Sequence, residues 1–585
     1  MVFSFREARS HQPRDMTALN LTSRKRALWT LTGLIALWLG MIVLAWPLGE
    51  FPTNDDWCYS RGVYSLVEQG HLALPPGWAA MTLIGHVLWG ALFSVPFGFS
   101  FIALRVSTLV MGAAGIAGTY LLFREWKLSQ VTALLGAATV AFNPIYFELS
   151  ATFMTDVPFY TVSVFSVIFF LRYWNTRKRL ELWTGLGLAI FATLIRQVGV
   201  LIPLAWGCAE IYRSGIRWRI LWRAAWPGML AIAVLMVYQF FVAPNFGFAG
   251  VENPRVKNVA KGLLRGSPDV ILDFLDQGLV VFMYLGLFLV PWTMLAGYRI
   301  LRDRVWRNQQ FLWTTFISAF AIGSGLLLRD NSIMPLSRNI LYNLGLGPPT
   351  LRDVYLMKLP NLPMAPAWTW IVLTVIAALG AITVLQAVMA TILVMLRKFH
   401  AKNHQGEAKI VFILALCAFY FALLILAGFY DRYLTFLIPF VILLLSVVHE
   451  YDNVTELVRL RRLIVLPLII FAVFSVIGTH DYFAWNRTRW SALNQLLAQG
   501  ILPEHVDGGF EFNGWHVYDP AYQRKNGVSW WWVQRDDYLV TFGEVQGFSK
   551  IDSMTYERWM SRDLGTVFIL QKNPTDASNN MDGTQ

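Results

Sequence analysis

The chain has 585 residues, of which 56% are hydrophobic and only 14% are charged, where a soluble protein carries about 25% charge. With a mean hydropathy of +0.49, that balance excludes a soluble enzyme and describes a polytopic membrane protein. The net charge of +12 does not imply a nucleic-acid partner, because the basic residues collect in short loops between apolar runs, where they set orientation.

Residues 1–27 form a polar arm that ends in Arg24, Lys25 and Arg26. The run Leu28 to Leu48 has spanning length and no small-residue cleavage site, so it reads as an uncleaved first helix with its basic arm in the cytoplasm. A tandem acid pair, Asp55-Asp56 in Pro-Thr-Asn-Asp-Asp-Trp-Cys-Tyr, follows at once in an outer loop spanning 49–100. An amphipathic helix is expected at about 57–70. Residues 79–97 are apolar enough to cross, but counting them as a span would invert every later loop and put the Arg-rich ones outside. They therefore read as an interfacial or re-entrant helix that holds His86 and is flanked by Trp78 and Trp89.

Spans are then expected near 101–122, 130–149, 157–174, 181–195, 197–212, 224–243, 277–298, 310–328, 367–396, 409–428, 434–449 and 463–479, about thirteen in all with the first. Basic clusters such as Arg172/Arg177/Lys178/Arg179, Arg213/Arg217/Arg219/Arg223 and Arg459/Arg461/Arg462 all fall on the side of the N-terminal arm, as the positive-inside rule requires. Arg196-Gln197 interrupts the apolar stretch from Leu182 to Cys208, whose two flanks are both basic. Two short helices meeting at the outer surface, with Arg196 at the tip, satisfy that pattern. Larger outer loops are expected at 244–276 and 329–366. From about 480 the chain turns polar, and a small α+β domain outside the membrane is expected over 480–572, with a disordered tail over 573–585. With Cys208 and Cys417 inside apolar runs, the three cysteines, which include Cys58, indicate no disulfide framework. No tandem repeat is present.

This topology puts four polar features on one outer face: Asp55/Asp56, Asp156, Arg196 and the turn Tyr430-Asp431-Arg432-Tyr433. Ionisable groups at a bilayer are functional candidates by default. Carboxylates and cations converging at a lipid–water boundary suit a lipid-linked phosphate substrate, the cation holding the phosphate and a carboxylate acting as base or metal ligand. Plainer readings stand beside this one. Asp56 and Asp156 could each cap a helix, Arg196 could snorkel, and Asp431-Arg432 could be an internally neutralised exposed turn. Asp481, Glu511 and His516 read as surface polarity in the outer domain. His71, His86 and His480 lack metal-ligand spacing.

The pattern resembles the GT-C superfamily of integral-membrane glycosyltransferases, in the branch of the protein mannosyltransferases, the lipid A aminoarabinose transferase and the bacterial glycosyltransferase 39-like (Rgt-type) proteins. In those families an acid pair opens the first outer loop ahead of juxtamembrane helices, as Asp55-Asp56 does here, with Tyr59 and Tyr64 downstream. A second acid starts a helix in the next outer loop, as Asp156 does. The Asp431-Arg432-Tyr433-Leu434 turn before a helix carrying Pro439 is similar to a late element of the bacterial members. The fold class implied is an all-α polytopic membrane domain over 28–479 with outer juxtamembrane helices, followed by the small C-terminal domain, for which no family motif transfers.

The function implied is transfer of a single sugar, with inversion, from a polyprenyl-phosphate carrier to a lipid, glycan or protein acceptor on the extracytoplasmic face of a bacterial cytoplasmic membrane. On that view Asp55, Asp56 and Asp156 are the catalytic candidates, and Tyr59, Arg432 and Tyr433 are substrate-binding candidates. Arg196, placed by topology rather than by motif, would hold the donor phosphate. Because the superfamily is divided on metal use, a divalent ion (Mg or Mn) on Asp55 and Asp156 stays open. The main alternative is a transporter or flippase, in which intramembrane charges line a path. Transporters tend toward repeated halves and broken helices near the midplane, whereas here the charges gather on one face.

Overall fold

The computed structural model describes residues 16–79, 81–246, 254–302, 308–337, 339–342, 345–400, 407–449, 454–524 and 528–574. The first fifteen residues of the expected basic arm and the expected tail beyond 574 lie outside them. Among the described residues, ten helices are long and apolar enough to cross a membrane, or eleven if the bent pair Gln130–Ala141 and Pro144–Ser150, meeting at 65°, counts as one span. The chain is thus an integral membrane protein, built almost entirely of helices, with a small C-terminal sheet.

The expected thirteen spans are reduced for an identifiable reason. The stretches at 181–195 and 197–212 form helices, Arg179–Ile195 and Leu201–Ser214, of 17 and 14 residues. At 1.5 Å per residue these reach about 26 and 21 Å, short of the full core of about 30 Å, yet with the Arg196 break between them they run out to Asp156 and back to Trp174 alongside Asp156–Thr176. They meet at Arg196, whose extended backbone (φ −141°, ψ 128°) breaks the helix before a short 3-10 turn. Ile84–Ser94, within the segment kept out of the span count, has 11 residues, roughly 16 Å of helix, and does not cross. The expected outer loop at 244–276 is partly helical: Pro254–Leu264 and the start of Pro268–Phe288 occupy it. The span expected at 277–298 is broken at Leu289, between Pro268–Phe288 and Val290–Arg302.

Helix ends follow local chemistry. Ser100 caps Phe101–Glu125 by accepting from the Ile102 and Ala103 amides. Asn143 caps Pro144–Ser150 in the same way, with proline in the first turn, where its missing N–H is not needed. The 21-residue helix Asp156–Thr176 separates its two ends by roughly 30 Å. Asp156 stands at one end. At the other, Arg172 pairs with Glu125 at the foot of Phe101–Glu125. Acidic site residues and basic loops therefore occupy opposite ends of the same helices.

The last long helix, Val454–Ala498, has 45 residues, about 68 Å, and runs through position 480 without a break. Instead of a domain boundary there, the end of a membrane helix forms one wall of the C-terminal domain. The strands β1 (Leu341–Tyr342) and β2 (Gly345–Leu346) make a small antiparallel hairpin in the outer loop. The C-terminal sheet comprises β3 (Val506–Asp507), β4 (Tyr538–Thr541), β5 (Phe548–Tyr556) and β6 (Gly565–Lys572) in the order β3-β4-β6-β5. β3 and β4 are parallel, the other pairs antiparallel, and β5 carries an irregularity at Lys550/Asp552. Val540, Val567 and Ile569 of this sheet share a core with Phe483, Trp485, Trp490 and Leu493 of the long helix. In Trp530-Trp531-Trp532 the second and third rings are buried, in a turn rather than a strand.

One helix crossing is set by glycine. A Cβ on Gly286 would stand 2.3 Å from the Ala377 carbonyl, and one on Gly380 would stand 2.4 Å from the Gly286 carbonyl. Small residues let membrane helices approach backbone to backbone, with packing as the driving force. Gly286→Val or Gly380→Val should force these helices apart and destabilise the bundle by about 1–3 kcal/mol. The expected readout is earlier loss of the monodisperse peak on heating in detergent, and Gly297→Val, where a Cβ meets nothing, serves as the neutral control.

Candidate active site

Four segments far apart in sequence converge at the end of the bundle opposite the basic loops. Asp55 immediately precedes helix Asp56–Glu68, and its side chain does not cap that helix. Asp55 Oδ2 instead accepts from Arg432 Nη2 at 2.9 Å. Asp156 begins its own helix and likewise makes no capping bond; its Oδ1 pairs with Arg196 Nη1 at 2.8 Å. Arg432 Nε lies 3.9 Å from Asp156 Oδ2, so one guanidinium faces both acids. Arg196 Nε donates to Thr155 Oγ1 at 3.0 Å. The Tyr433 ring is flanked by both cations, with Arg196 at 4.5 Å and Arg432 at 5.4 Å from its centroid.

Burial differs within the group in a way that bears on chemistry. The side chains of Asp156 and Arg432 are each 2% exposed and that of Arg196 is 8%, whereas Asp55 is 22% exposed. Asp55 is the acid a substrate can reach, and the others stand behind it. Moving such charges out of water costs several kcal/mol per ion unless they are paired. Even so, the pairing is incomplete. Arg432 Nη1 and Nε, Asp156 Oδ2 and one oxygen of Glu148 are buried without a hydrogen-bond partner in the protein. Buried polar atoms are nearly always satisfied, so several orphans around one guanidinium mark a place built to receive a polar ligand.

The expected residues thus divide. Asp55, Asp156, Arg196, Arg432 and Tyr433 are brought together. Tyr59 is buried one turn into helix Asp56–Glu68, its ring edge-on to His86. Asp56 turns away from the cluster: it accepts from the Thr53 amide and hydroxyl and from the Phe153 amide. Its task is to fold the 53–56 turn and tie it to the segment ahead of Asp156. The reading of Asp431-Arg432 as a self-neutralised exposed turn is not what the structure shows. Both residues are buried, and Asp431 accepts from the amides of Ile340, Leu341 and Arg432, leaving the guanidinium free for Asp55 and Asp156. Capping does not describe Asp156, nor snorkelling Arg196, whose head is buried and paired.

Two residues escaped sequence reasoning. Glu148, in the bent helix Pro144–Ser150, is buried beside Asp431, Arg432, Asp56 and Asp156. A lone acid within the apolar run 130–149 was the available signal. Glu511, read as surface polarity, is fully buried and bonded to the Asn54 amide at 2.8 Å; nothing local announced it.

His86 does not add a cation. Burial pushes its imidazole down to about 4, partly opposed by its bond to the Phe153 carbonyl, so the ring is neutral near pH 7 and stacks on Phe153 at 4.0 Å. The divalent-metal expectation on Asp55 and Asp156 does not suit the donor set, because each carboxylate already faces a guanidinium. No group of three His, Cys, Asp or Glu among the described residues is arranged to hold an ion.

Residues 86–243, which carry Glu148, Asp156 and Arg196, match the family model described as dolichyl-phosphate-mannose-protein mannosyltransferase. That match spans about a quarter of the chain and is a similarity to that family over those residues. Among solved structures, ArnT from Cupriavidus metallidurans bound to undecaprenyl phosphate aligns at 12% identity and a TM-score of 0.37, covering 83% of this chain and 75% of that one. ArnT in the apo state gives 14% identity and a TM-score of 0.36, with 82% and 84% covered. Superpositions this loose carry no argument about the site. No curated protein matches the chain.

Asp56 offers a test of the turn that presents Asp55. Burial raises its carboxyl from 3.8 to about 7, against the lowering effect of Arg105 and of its three hydrogen-bond donors. A folded value above the unfolded one means that Asp56 favours folding most fully below pH 3.8, and that this contribution is lost as the pH rises through about 7. Wild type should therefore lose thermal stability over that window relative to Asp56→Asn, measured by melting in detergent at stepped pH. A pH-independent difference between the two contradicts it.

Proposed function

We propose that this protein is a glycosyltransferase that moves one sugar from a polyprenyl-phosphate carrier to an acceptor hydroxyl or amine, with inversion, at the extracytoplasmic face of a bacterial cytoplasmic membrane. The observation that carries this reading is the partly exposed Asp55 set against Arg432 and Arg196, with unpartnered donor and acceptor atoms buried around them. The sequence match of residues 86–243 to a family named for a polyprenyl-phosphate sugar donor supports it.

A sugar phosphodiester is already activated, so the reaction needs two things: a base for the acceptor and stabilisation of the departing phosphate. Asp55 takes the acceptor proton as the acceptor atom attacks the anomeric carbon from the face opposite the phosphate. The bond from that carbon to the phosphate oxygen breaks, and the electron pair leaves with the polyprenyl phosphate. Arg432, through its free Nη1, meets the charge that develops there, and Arg196 adds a second cation. Asp156 holds both guanidiniums in place and balances part of their charge. The Arg432 contact keeps Asp55 aimed until acceptor arrives.

A transporter reading lacks comparable support. The charges lie at one end of the bundle, where a carrier would need them along a path through it.

Three substitutions test the assignment with protein levels matched. Asp55→Asn should lower sugar transfer by at least about a hundredfold, the range for losing a general base. Arg432→Gln and Asp156→Asn should each lower it strongly as well, since removing one partner leaves a buried charge uncompensated. Glycan and lipid profiling of cells should show one sugar addition missing and its polyprenyl-phosphate donor accumulating. Unchanged glycans in a null strain would reject the reading. Transfer by purified protein should persist in EDTA, because the acids are held by arginine.

A further inference from the structure

Resting on that reading, we infer that Glu511 of the C-terminal domain is a positioning residue for Asp55, so that the domain forms part of the active site. The evidence lies in how the backbone around Asp55 is held. Asn54 has φ +54°, a left-handed conformation that asparagine adopts more readily than other non-glycine residues and that turns its amide toward the C-terminal domain only while that amide is held. Glu511 supplies that constraint. Its Oε1 accepts the Asn54 amide at 2.8 Å, and its two oxygens accept from Thr350 Oγ1 at 2.7 and 2.6 Å.

Glu511 is held in turn by Arg489 Nη1 at 2.8 Å, with both side chains fully buried. Arg489 is itself anchored, donating from Nε to the Gly508 carbonyl at 2.8 Å and from Nη1 to Asn486 Oδ1 at 3.3 Å. Helix Phe510–Val517, which carries Glu511, enters through Gly509 at φ +88°, where a Cβ would stand 2.4 Å from the Thr350 carbonyl. Four segments remote in sequence therefore meet in one buried polar node: the Asp55 turn, the outer loop at Thr350, the long membrane helix at Arg489 and the C-terminal helix at Glu511.

A buried ion pair is weak evidence for stability, since an apolar replacement of similar volume is often as stable or more so. What this pair does is hold a backbone amide next to a reacting acid. On the other side of Asp55, Asp56 ties Thr53 to Phe153. Asp55 thus sits between two pins, one from the membrane bundle and one from the C-terminal domain, and neither contacts its carboxylate. Sub-ångström placement of a base is worth orders of magnitude in rate, and the domain contributes it at a distance.

The test uses the intact chain in lipid nanodiscs and two double variants that both remove the ion pair. In Arg489→Met/Glu511→Gln the side-chain amide oxygen still accepts from Asn54; in Arg489→Met/Glu511→Leu it cannot. Hydrogen exchange over residues 50–57 should be slow in wild type and in the Gln double and at least about tenfold faster in the Leu double, with kcat for sugar transfer falling at least about tenfold only in the Leu double. The donor KM and the thermal shift on adding undecaprenyl phosphate should stay within about threefold and about 2 °C of wild type in both, since a placement defect acts on the chemical step. Equal exchange and equal kcat in the two doubles would overturn the inference, and so would an unprotected Asn54 amide in wild type. A wild type that transfers no sugar would instead remove the glycosyltransferase reading, while the exchange data would still decide whether the pin exists.

Discussion

The Arg432 guanidinium facing both Asp55 and Asp156 is the constraint around which the rest of the molecule is organised. Charges that are nearly inaccessible to water at the end of an apolar bundle are tolerable only when paired and oriented. Here the second guanidinium, Arg196, closes the set. Two acids and two arginines balance, and the Tyr433 ring between the cations fixes their planes. The balance is incomplete by design of the geometry, because Arg432 and Asp156 retain atoms that no protein group satisfies. A substrate phosphate and its sugar can supply those partners.

Delivering the four groups to one place uses simple devices at helix ends. Asp55 and Asp156 sit where helices begin, so each carboxylate benefits from the positive end of a helix while staying free of capping duty. Arg196 sits where two short helices meet, at a break in the helix rather than on a helical face. Arg432 follows a residue whose carboxylate is consumed by three amides, two of them from the outer-loop hairpin segment. That neighbour, Asp431, therefore fixes the turn and leaves the guanidinium to face the acids. Neighbouring charged residues divide the work in the same way twice. At Asp55-Asp56 and at Asp431-Arg432, one side chain builds the turn and the adjacent one is presented by it.

The C-terminal domain belongs to the same construction. Its sheet packs on the extension of the last membrane helix, and its short helix covers Trp57, where Gly514 leaves room for the indole. Trp57, Trp78, Tyr518 and Trp532 pack tilted and edge-to-face across this seam, binding the first outer loop to the domain. Rigid aromatic packing on one side and the Glu511 node on the other leave the Asp55 turn little freedom. Preorganisation of that kind is what a reaction limited by the placement of a base requires.

Sequence alone determined the class of the molecule. Scarce charge, repeated apolar runs and one-sided basic loops leave no alternative to a polytopic membrane protein, and the same bookkeeping of loops put Asp55, Asp156, Arg196 and Arg432 on one face. It also kept the segment 79–97 out of the span count and placed the break at Arg196, because both follow from charge and length. It counted as full spans two stretches whose helices are short and meet at the Arg196 break, since hydropathy registers burial in protein and burial in lipid alike. Only the tertiary structure decided which acid of the Asp55-Asp56 pair faces the site, since adjacent carboxylates are chemically identical until a fold assigns their partners. It also decided that Glu148 and Glu511 are buried. The contacts that bury them come from segments up to 457 residues away, and long-range packing of that kind leaves no periodic trace in the local sequence.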